Sequence, residues 1–193
     1  MVKLNLSNRG ITEVPPIPDD VTELNLSYNQ ITKLKEGVFP QGLKKSYLSG
    51  NKIVELKEGV FPQGLKKLYL SGNKIVELKK GVFPQGLQIL DLYNNQIVEL
   101  KKDVFQPGLK NLSLSDNQIV ELKKGVFPQE LEILDLSGNQ IIKLTEGVFP
   151  CGLKKLYLDM NEIEELKEGF FSNWITRIGF VLQSNCRITH SSS

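Results

Sequence analysis

The sequence predicts a single solenoid domain of stacked parallel strands, and three regularities lead to that prediction. Asparagines recur every 22 residues, the motif L-x-x-L-x-L precedes most of them, and a phenylalanine follows each asparagine ten residues later. L-x-L has the two-residue period of a strand with one buried face. The asparagines are Asn29, Asn51, Asn73, Asn95, Asn117, Asn139 and Asn161.

These regularities divide the chain into repeats within one domain, residues 1–193. Residues 1–20 form a shorter, cap-like first repeat, residues 21–174 hold seven 22-residue repeats, and residues 175–193 form a degenerate terminal repeat with a polar tail. A lone three-residue strand cannot bury its leucines. Stacked copies cover one another, so the inward leucines become a continuous core.

Each constrained position in the repeat has a physical reason. We expect the asparagines to form a ladder that satisfies backbone groups where the chain leaves the strand, because an amide carries donors and an acceptor. We expect the phenylalanines from Phe39 to Phe171 to form a buried spine. A proline usually follows and breaks regular structure, which favours coil or short 3-10 turns over helix in the arcs. Ser46 replaces an inward leucine and predicts a packing defect.

The full frame, L-x-x-L-x-L-x-x-N-x-I-x-x-L-x-x-G-V-F-P-x-G, resembles the leucine-rich repeat superfamily over nearly the whole chain. The resemblance implies a leucine-rich repeat solenoid, an α/β class by convention but mostly β and coil here. It implies a curved right-handed horseshoe with a parallel sheet of eight or nine strands on the concave face and coil or 3-10 turns on the convex face.

The two ends resemble extracellular members of that superfamily. The segment from Ser7 to Pro15 is similar to the N-terminal cap of variable lymphocyte receptors and small leucine-rich proteoglycans, and GFFSNWITRIGFVLQSNC is similar to their 24-residue terminal repeat. The caps of those relatives contain cysteines, whereas this chain has Cys151 and Cys186 alone. The compartment stays open, and the missing cap cysteines and apolar leader favour the cytoplasm over secretion.

Residues six, four, two and one before each asparagine should face away from the leucine core. All five tyrosines occupy such positions, whereas seven of nine phenylalanines belong to the spine. Tyrosine is enriched at binding surfaces. We therefore expect a protein-recognition module that binds its partner through the variable concave strand face. The predicted partner-binding residues are Tyr47, Tyr69, Ile89, Asp91, Tyr93, Ile133, Asp135, Tyr157 and Asp159.

The charges of this face change sign along the chain. The early charges are Lys45, Lys52, Lys67 and Lys74, and the late ones are Asp91, Asp116, Asp135 and Asp159. Such a face would orient a protein partner and speed its encounter. The chain itself should be a monomer or a weak oligomer that associates through the solenoid ends.

Several function classes are not expected. The single histidine, His190, lies in the polar tail, so a serine or cysteine nucleophile has no base, and we expect no enzyme and no cofactor. Asp91 and Asp135 lie two repeats apart, roughly 10 Å, which is too far to share a metal ion. The 24 basic and 22 acidic residues nearly balance, which disfavours nucleic acid. No apolar run is long enough for a membrane span.

Two other interpretations remain open alongside recognition. The solenoid could serve as a structural spacer or self-assembling repeat protein, since tyrosine also favours strands for its β-propensity. It could equally be the recognition domain of a pathogen effector or ligase whose active domain lies elsewhere.

Overall fold

The computed structural model describes residues 1–167, 179–181 and 187–189. Each repeat contributes one short parallel strand to a common sheet. The strands are β1 (Val2–Asn5), β2 (Val21–Asn25), β3 (Lys45–Tyr47), β4 (Lys67–Tyr69), β5 (Ile89–Asp91), β6 (Asn111–Ser113), β7 (Ile133–Asp135), β8 (Lys155–Tyr157), β9 (Glu165–Lys167), β10 (Gly179–Val181) and β11 (Arg187–Thr189).

Nine of these strands form one parallel sheet in the order β1 to β8 and then β10, while β9 and β11 pair separately. From β2 to β8 the register is unshifted, so equivalent residues of successive repeats lie side by side. The described residues contain no helix, and coil and turns fill the arcs. The predicted parallel-strand solenoid is confirmed; its handedness and horseshoe curvature stay predictions.

The core consists of stacked rows, each with one residue per repeat. The leucines of the strands from β2 to β8, the isoleucine two residues after each asparagine and the spine phenylalanines from Phe39 to Phe149 are buried. Phe105 stacks between Phe83 and Phe127, with ring centroids 6.3 Å from each. The phenylalanine spine is therefore confirmed from Phe39 to Phe149. Phe171 and His190 lie outside the described residues.

The asparagine ladder is confirmed as a repeated set of hydrogen bonds. Asn95 Oδ1 accepts from the backbone N–H of Ile75 in the preceding repeat at 3.0 Å. Its Nδ2 donates to the carbonyl oxygens of Leu70 and Leu92 at 3.0 and 3.1 Å. Each asparagine thus links its own turn to the preceding turn, which fixes the spacing between the strands of the two repeats.

At Ser46 the structure shows a buried, unpaired hydroxyl, and the packing defect itself stays a prediction. Ser46 lies in the sheet between Leu24 and Leu68 and is completely buried. Its Oγ is the one buried side-chain polar atom without a hydrogen-bond partner in the described residues. Burying a hydroxyl without a hydrogen-bond partner lowers stability, so β3 is a weak point of an otherwise regular core.

Candidate functional site

The strand face comprises the residues six, four, two and one before each asparagine position of the repeats that contain β1 to β8. Within β3 to β7 the side chains alternate, with the middle residue buried and its two neighbours half-buried. This alternation follows from the two-residue period of a strand. The sheet therefore presents its polar and aromatic residues in straight rows that run across the strands.

The nine predicted site residues fall into three of these rows. Ile89 and Ile133 lie six residues before an asparagine, on either side of Asn111. Tyr93 and Asp159 lie two residues before an asparagine, just past the strand ends. The middle row, four residues before each asparagine, contains Tyr47, Tyr69, Asp91, Asp135 and Tyr157.

Tyr47 and Tyr69 form a stacked aromatic pair on this face. Their rings stack with centroids 4.8 Å apart and planes inclined by 2°. The unshifted register between β3 and β4 places the two residues side by side, which allows the stack. Burial, followed by the nearby Tyr47 and Asp91, raises the pKa of the Tyr69 hydroxyl, so this hydroxyl remains a donor at neutral pH. The pair forms a flat, stacked aromatic surface.

The two aspartates of the middle row have a structural role as well as a charge. Asp91 Oδ1 accepts from the backbone N–H of Tyr93 at 2.9 Å, and Asp135 Oδ1 accepts from Ser137 at 3.0 Å. Asn25 makes the same bond to Ser27. Burial raises the pKa of Asp91 above its ordinary value, and the bond from Tyr93 opposes that effect. One oxygen of each carboxylate is thus already engaged by the chain.

Asp91 and Asp135 do not meet. They occupy β5 and β7, and Ser113 of β6 lies between them. The described residues contain no group of three or more histidine, cysteine, aspartate or glutamate side chains that could hold a metal ion. Within the same residues, no helix has the length and apolar content that crossing a membrane requires.

On the early half of the face, an acidic side chain partly neutralises the basic charge that the sequence indicates. Glu23, which the sequence-based site omits, lies between Lys3 and Lys45, with Oε2 at 3.3 and 3.5 Å from their Nζ atoms. Lys45 therefore presents a partly compensated charge. An open groove of about 260 Å³ lies beside this cluster, lined by Lys3, Leu4, Asn5, Glu23, Asn25 and Tyr47.

Backbone conformation marks the edge of the face. The residue before each asparagine has a positive φ, which glycine, asparagine and aspartate accept readily. Tyr28 and Met160 occupy the same position with φ of 57° and 54°, an uncommon conformation for bulky side chains. The Tyr28 ring lies over Gly50, where a Cβ atom would come within 2.6 Å of Tyr28 Cδ1. Glycine in the next repeat thus makes room for this ring.

The structure also shows a row of exposed side chains that the sequence-based site omits. Three residues after the asparagine, five successive repeats present an exposed valine or isoleucine. The sequence signal is an Ile-Val or Ile-Ile pair that begins two residues after the asparagine. Only the first residue of each pair is buried. These exposed residues are Val54, Val76, Val98, Val120 and Ile142.

Solved structures with the same fold come from several biological settings. Human 5T4, a trophoblast glycoprotein described as Wnt-activated inhibitory factor 1, is 25% identical with a TM-score of 0.80, over 95% of this chain and 76% of that one. The leucine-rich repeat domain of a Shigella effector is 26% identical with a TM-score of 0.68, over 97% and 80% of the two chains. TLR13, in a complex with ssRNA13, is 29% identical with a TM-score of 0.78, over 90% of this chain but 26% of TLR13.

Sequence comparisons give the family. A search of the curated proteins finds no match. A leucine-rich repeat family model matches residues 63–107 and 107–151, and a second leucine-rich repeat model matches residues 20–33. These matches agree with the 22-residue period, the asparagine ladder and the parallel sheet. The chain belongs to the leucine-rich repeat proteins.

Proposed function

We propose that this protein is a recognition module that binds a partner protein through the strand face, the predicted concave side of the solenoid. The observation that carries the proposal is the segregation of its aromatic residues. All five tyrosines lie on the strand face, while the spine phenylalanines from Phe39 to Phe149 are buried in the arcs. A tyrosine has a large apolar body with a polar tip, so it suits a surface that is hydrated in the free protein and desolvated in the complex.

Preorganisation supports the same proposal. Tyr47 and Tyr69 are held against each other on a sheet that the asparagine ladder makes rigid. Binding then costs less side-chain entropy than it would for two free rings. The stacked pair is the main aromatic anchor of the early half of the interface, because aromatic anchors carry a large share of binding energy.

The late half of the face supplies complementary features for the partner. Ile89 and Ile133 are half-buried aliphatic side chains beside the acidic residues Asp91 and Asp135. A partner with apolar side chains and a basic end over β5 to β8 would match this half. The early half, with Lys45 and Lys67, would receive a neutral or acidic end. The polarity fixes the direction in which the partner lies across the strands.

A protein partner fits this face better than a polyphosphate chain. Across the strand face of β1 to β8, the four lysines Lys3, Lys45, Lys67 and Lys155 are outnumbered by Glu23, Asp91, Asp116, Asp135 and Asp159. Nucleic-acid affinity depends on cations that neutralise phosphates and release counterions. Under this proposal, the similarity to TLR13, which was solved in complex with ssRNA13, concerns the solenoid fold and does not include an RNA ligand.

A capture experiment with matched variants tests the proposal. The wild-type chain, a Tyr47→Ala/Tyr69→Ala variant and an arc control, Lys57→Ala/Glu58→Ala, are used as bait after circular dichroism confirms that all three fold. A protein retained by wild type and the arc control but lost by the tyrosine variant is the expected result. Equal recovery by all three baits would contradict recognition by the strand face. Retention that falls steeply with salt would indicate nucleic acid instead.

One similarity favours a second possibility, that the chain is the recognition part of a larger effector or ligase. The leucine-rich repeat domain of a Shigella effector aligns with 97% of this chain. Under this proposal the strand face binds the protein that the active domain modifies. The sequence of the coding region on both sides of these 193 residues tests it. An adjoining catalytic domain is expected, and stop codons that directly bound the segment would contradict it.

A further inference from the structure

The flank row, defined as Val54, Val76, Val98, Val120 and Ile142, is an exposed aliphatic stripe that the recognition face does not use. These residues are between 37% and 50% exposed. They make up half of the ten large hydrophobic side chains that are exposed in the described residues. The stripe is continuous over five repeats, and at about 4.8 Å per strand spacing it is roughly 19 Å long.

Local geometry makes the flank row regular. The isoleucine two residues after each asparagine is buried, so its neighbour points out of the solenoid. The intervening backbone is bonded from repeat to repeat; for example, Gln96 N–H donates to the carbonyl of Ile75 at 2.9 Å, and Gln118 N–H to Ile97 at 2.9 Å. The exposed side chains therefore stand on a fixed backbone ladder, and a partner would not have to order them.

Two polar rows border the flank row along the chain direction. Before it lies a row of hydrogen-bond donors, and after it lies a mostly acidic row. The donor row is Lys52, Lys74, Gln96, Gln118 and Gln140. The acidic row is Glu55, Glu77, Glu99 and Glu121, followed by Lys143. The ion pairs of Glu55, Glu77 and Glu99 with Lys79, Lys101 and Lys123 use Oε1 of each glutamate, and a carboxylate can accept from a further donor.

We propose that the flank row is a weak interface with a second copy of this chain, in which the two solenoids lie side by side in the same direction. A two-fold axis parallel to the solenoid axis sets one flank row against the other. It also exchanges the two bordering rows. Lys52 and Lys74 then face Glu55 and Glu77 of the second copy, and the symmetric contacts repeat these pairs.

Charge complementarity selects this orientation. If the second copy ran in the opposite direction, the acidic row would face the acidic row and the donor row would face the donor row. Like charges across an interface are unfavourable, whereas lysine and glutamine donors opposite glutamate acceptors can form hydrogen bonds. A self-complementary patch of this kind is what a two-fold dimer requires.

The size of the patch sets the strength of the dimer. A stable interface buries about 800 Å² on each partner. The flank row and its borders span roughly 19 Å by 10 Å, from about four strand spacings and three residue steps of extended chain, which is far smaller. The dimer should therefore form at high micromolar to millimolar concentration. It does not involve the strand face, so partner recognition and dimerisation can occur together.

Sedimentation velocity of the full chain over a wide concentration range tests the proposal. Wild type is expected to shift towards the dimer mass as concentration rises, and Val76→Lys/Val98→Lys is expected to remain monomeric. Tyr47→Ala/Tyr69→Ala serves as the control and should associate like wild type. A wild type that stays monomeric at millimolar concentration overturns the proposal. So does equal association of the valine variant, which would place the contact at the solenoid ends.

A charge-reversal pair tests the orientation. Lys74→Glu places glutamate against Glu77 of the second copy at two symmetric contacts, so the dissociation constant should rise by about tenfold. Adding Glu77→Lys restores both pairs in the same-direction dimer and should return the constant to near the wild-type value. Thermal unfolding checks that each variant folds. A double variant that dimerises no better than Lys74→Glu overturns the same-direction arrangement.

Discussion

Tyr47 and Tyr69 stack face to face, with ring centroids 4.8 Å apart and planes inclined by only 2°. Each ring therefore covers one face of the other. Stacked aromatic pairs contribute about 1 kcal/mol beyond the area they bury. The pair is the part of the strand face for which the structure adds most to the sequence pattern.

The first prediction is that Tyr47 and Tyr69 are energetically coupled. In a double-mutant cycle of alanine variants, urea unfolding should give a coupling free energy of about 1 kcal/mol. Tyr69 and Tyr157 form the matched control, because they share the same row but lie four strands apart, in β4 and β8. Their effects should add. A coupling between Tyr47 and Tyr69 no larger than that of the control pair would contradict a preorganised platform.

The second prediction concerns the buried hydroxyl of Ser46. Ser46→Leu should raise the free energy of unfolding by about 2 kcal/mol, because it removes an unpaired hydroxyl and restores the leucine row between Leu24 and Leu68. Leu68→Ser, the reverse change in the next repeat, should lower it by about 3 kcal/mol. Chemical denaturation measures both. If Ser46→Leu were as destabilising as Leu68→Ser, the site would be too narrow for a leucine and the defect would have a steric origin.

The third prediction concerns the asparagine ladder. Asn95→Ala leaves the Ile75 N–H without its acceptor. The carbonyl oxygens of Leu70 and Leu92 lose one of two amide donors and keep those of Asn73 and Asn117. The free energy of unfolding should fall by about 2 kcal/mol, since one buried N–H is left unpaired and two carbonyls each lose one of two bonds. Asn111→Ala, which removes an asparagine from the strand face, is the control and should change it by less than about 0.5 kcal/mol. Similar losses for both would show that the ladder is replaceable by water.

The fourth prediction concerns pH and Asp91. Burial raises its folded-state pKa above the ordinary value of 3.8, so the folded protein holds this proton more tightly than the unfolded chain. Stability from this group is fully present below the ordinary value and is lost as pH rises through the raised folded value. Asp91→Asn removes the ionisation and can still accept from Tyr93, as Asn25 accepts from Ser27.

The melting temperature of Asp91→Asn should therefore exceed that of wild type at neutral pH, and the difference should vanish below 3.8. Asp91→Ala is the matched control, because it loses both the charge and the bond from Tyr93. It should fall below Asp91→Asn at every pH. A wild type that gains stability relative to Asp91→Asn as pH rises would mean that the folded protein favours the carboxylate.

The fold could be predicted from the sequence because the same constrained positions recur in every repeat. One asparagine in 22 residues predicts one backbone ladder, and the structure contains that ladder in every repeat from Asn29 to Asn161. The phenylalanine spine and the inward position of Ser46 follow in the same way. These features depend on burial, and burial is visible in the period of the apolar residues.

The face was less predictable because it depends on side-chain direction. In the apolar pair that begins each arc, such as Ile75 and Val76, the repeat frame marks only the isoleucine as constrained, and the structure shows that the second residue is exposed. Asp91 and Asp135 were predicted as partner-binding charges. The bonds to their own backbone depend on how the chain turns at the strand end. The Tyr47–Tyr69 stack likewise depends on rotamers that sequence does not specify.

Side-chain footprinting with hydroxyl radicals, with and without the captured partner, tests the recognition proposal most directly. Tyr47, Tyr69 and Tyr157 on the strand face and Val54, Val98 and Val120 on the flank provide two internal sets of probes. Labelling of the tyrosines should fall on binding while labelling of the valines stays the same. Protection of the valines with unchanged tyrosines would contradict the account and place the partner on the flank.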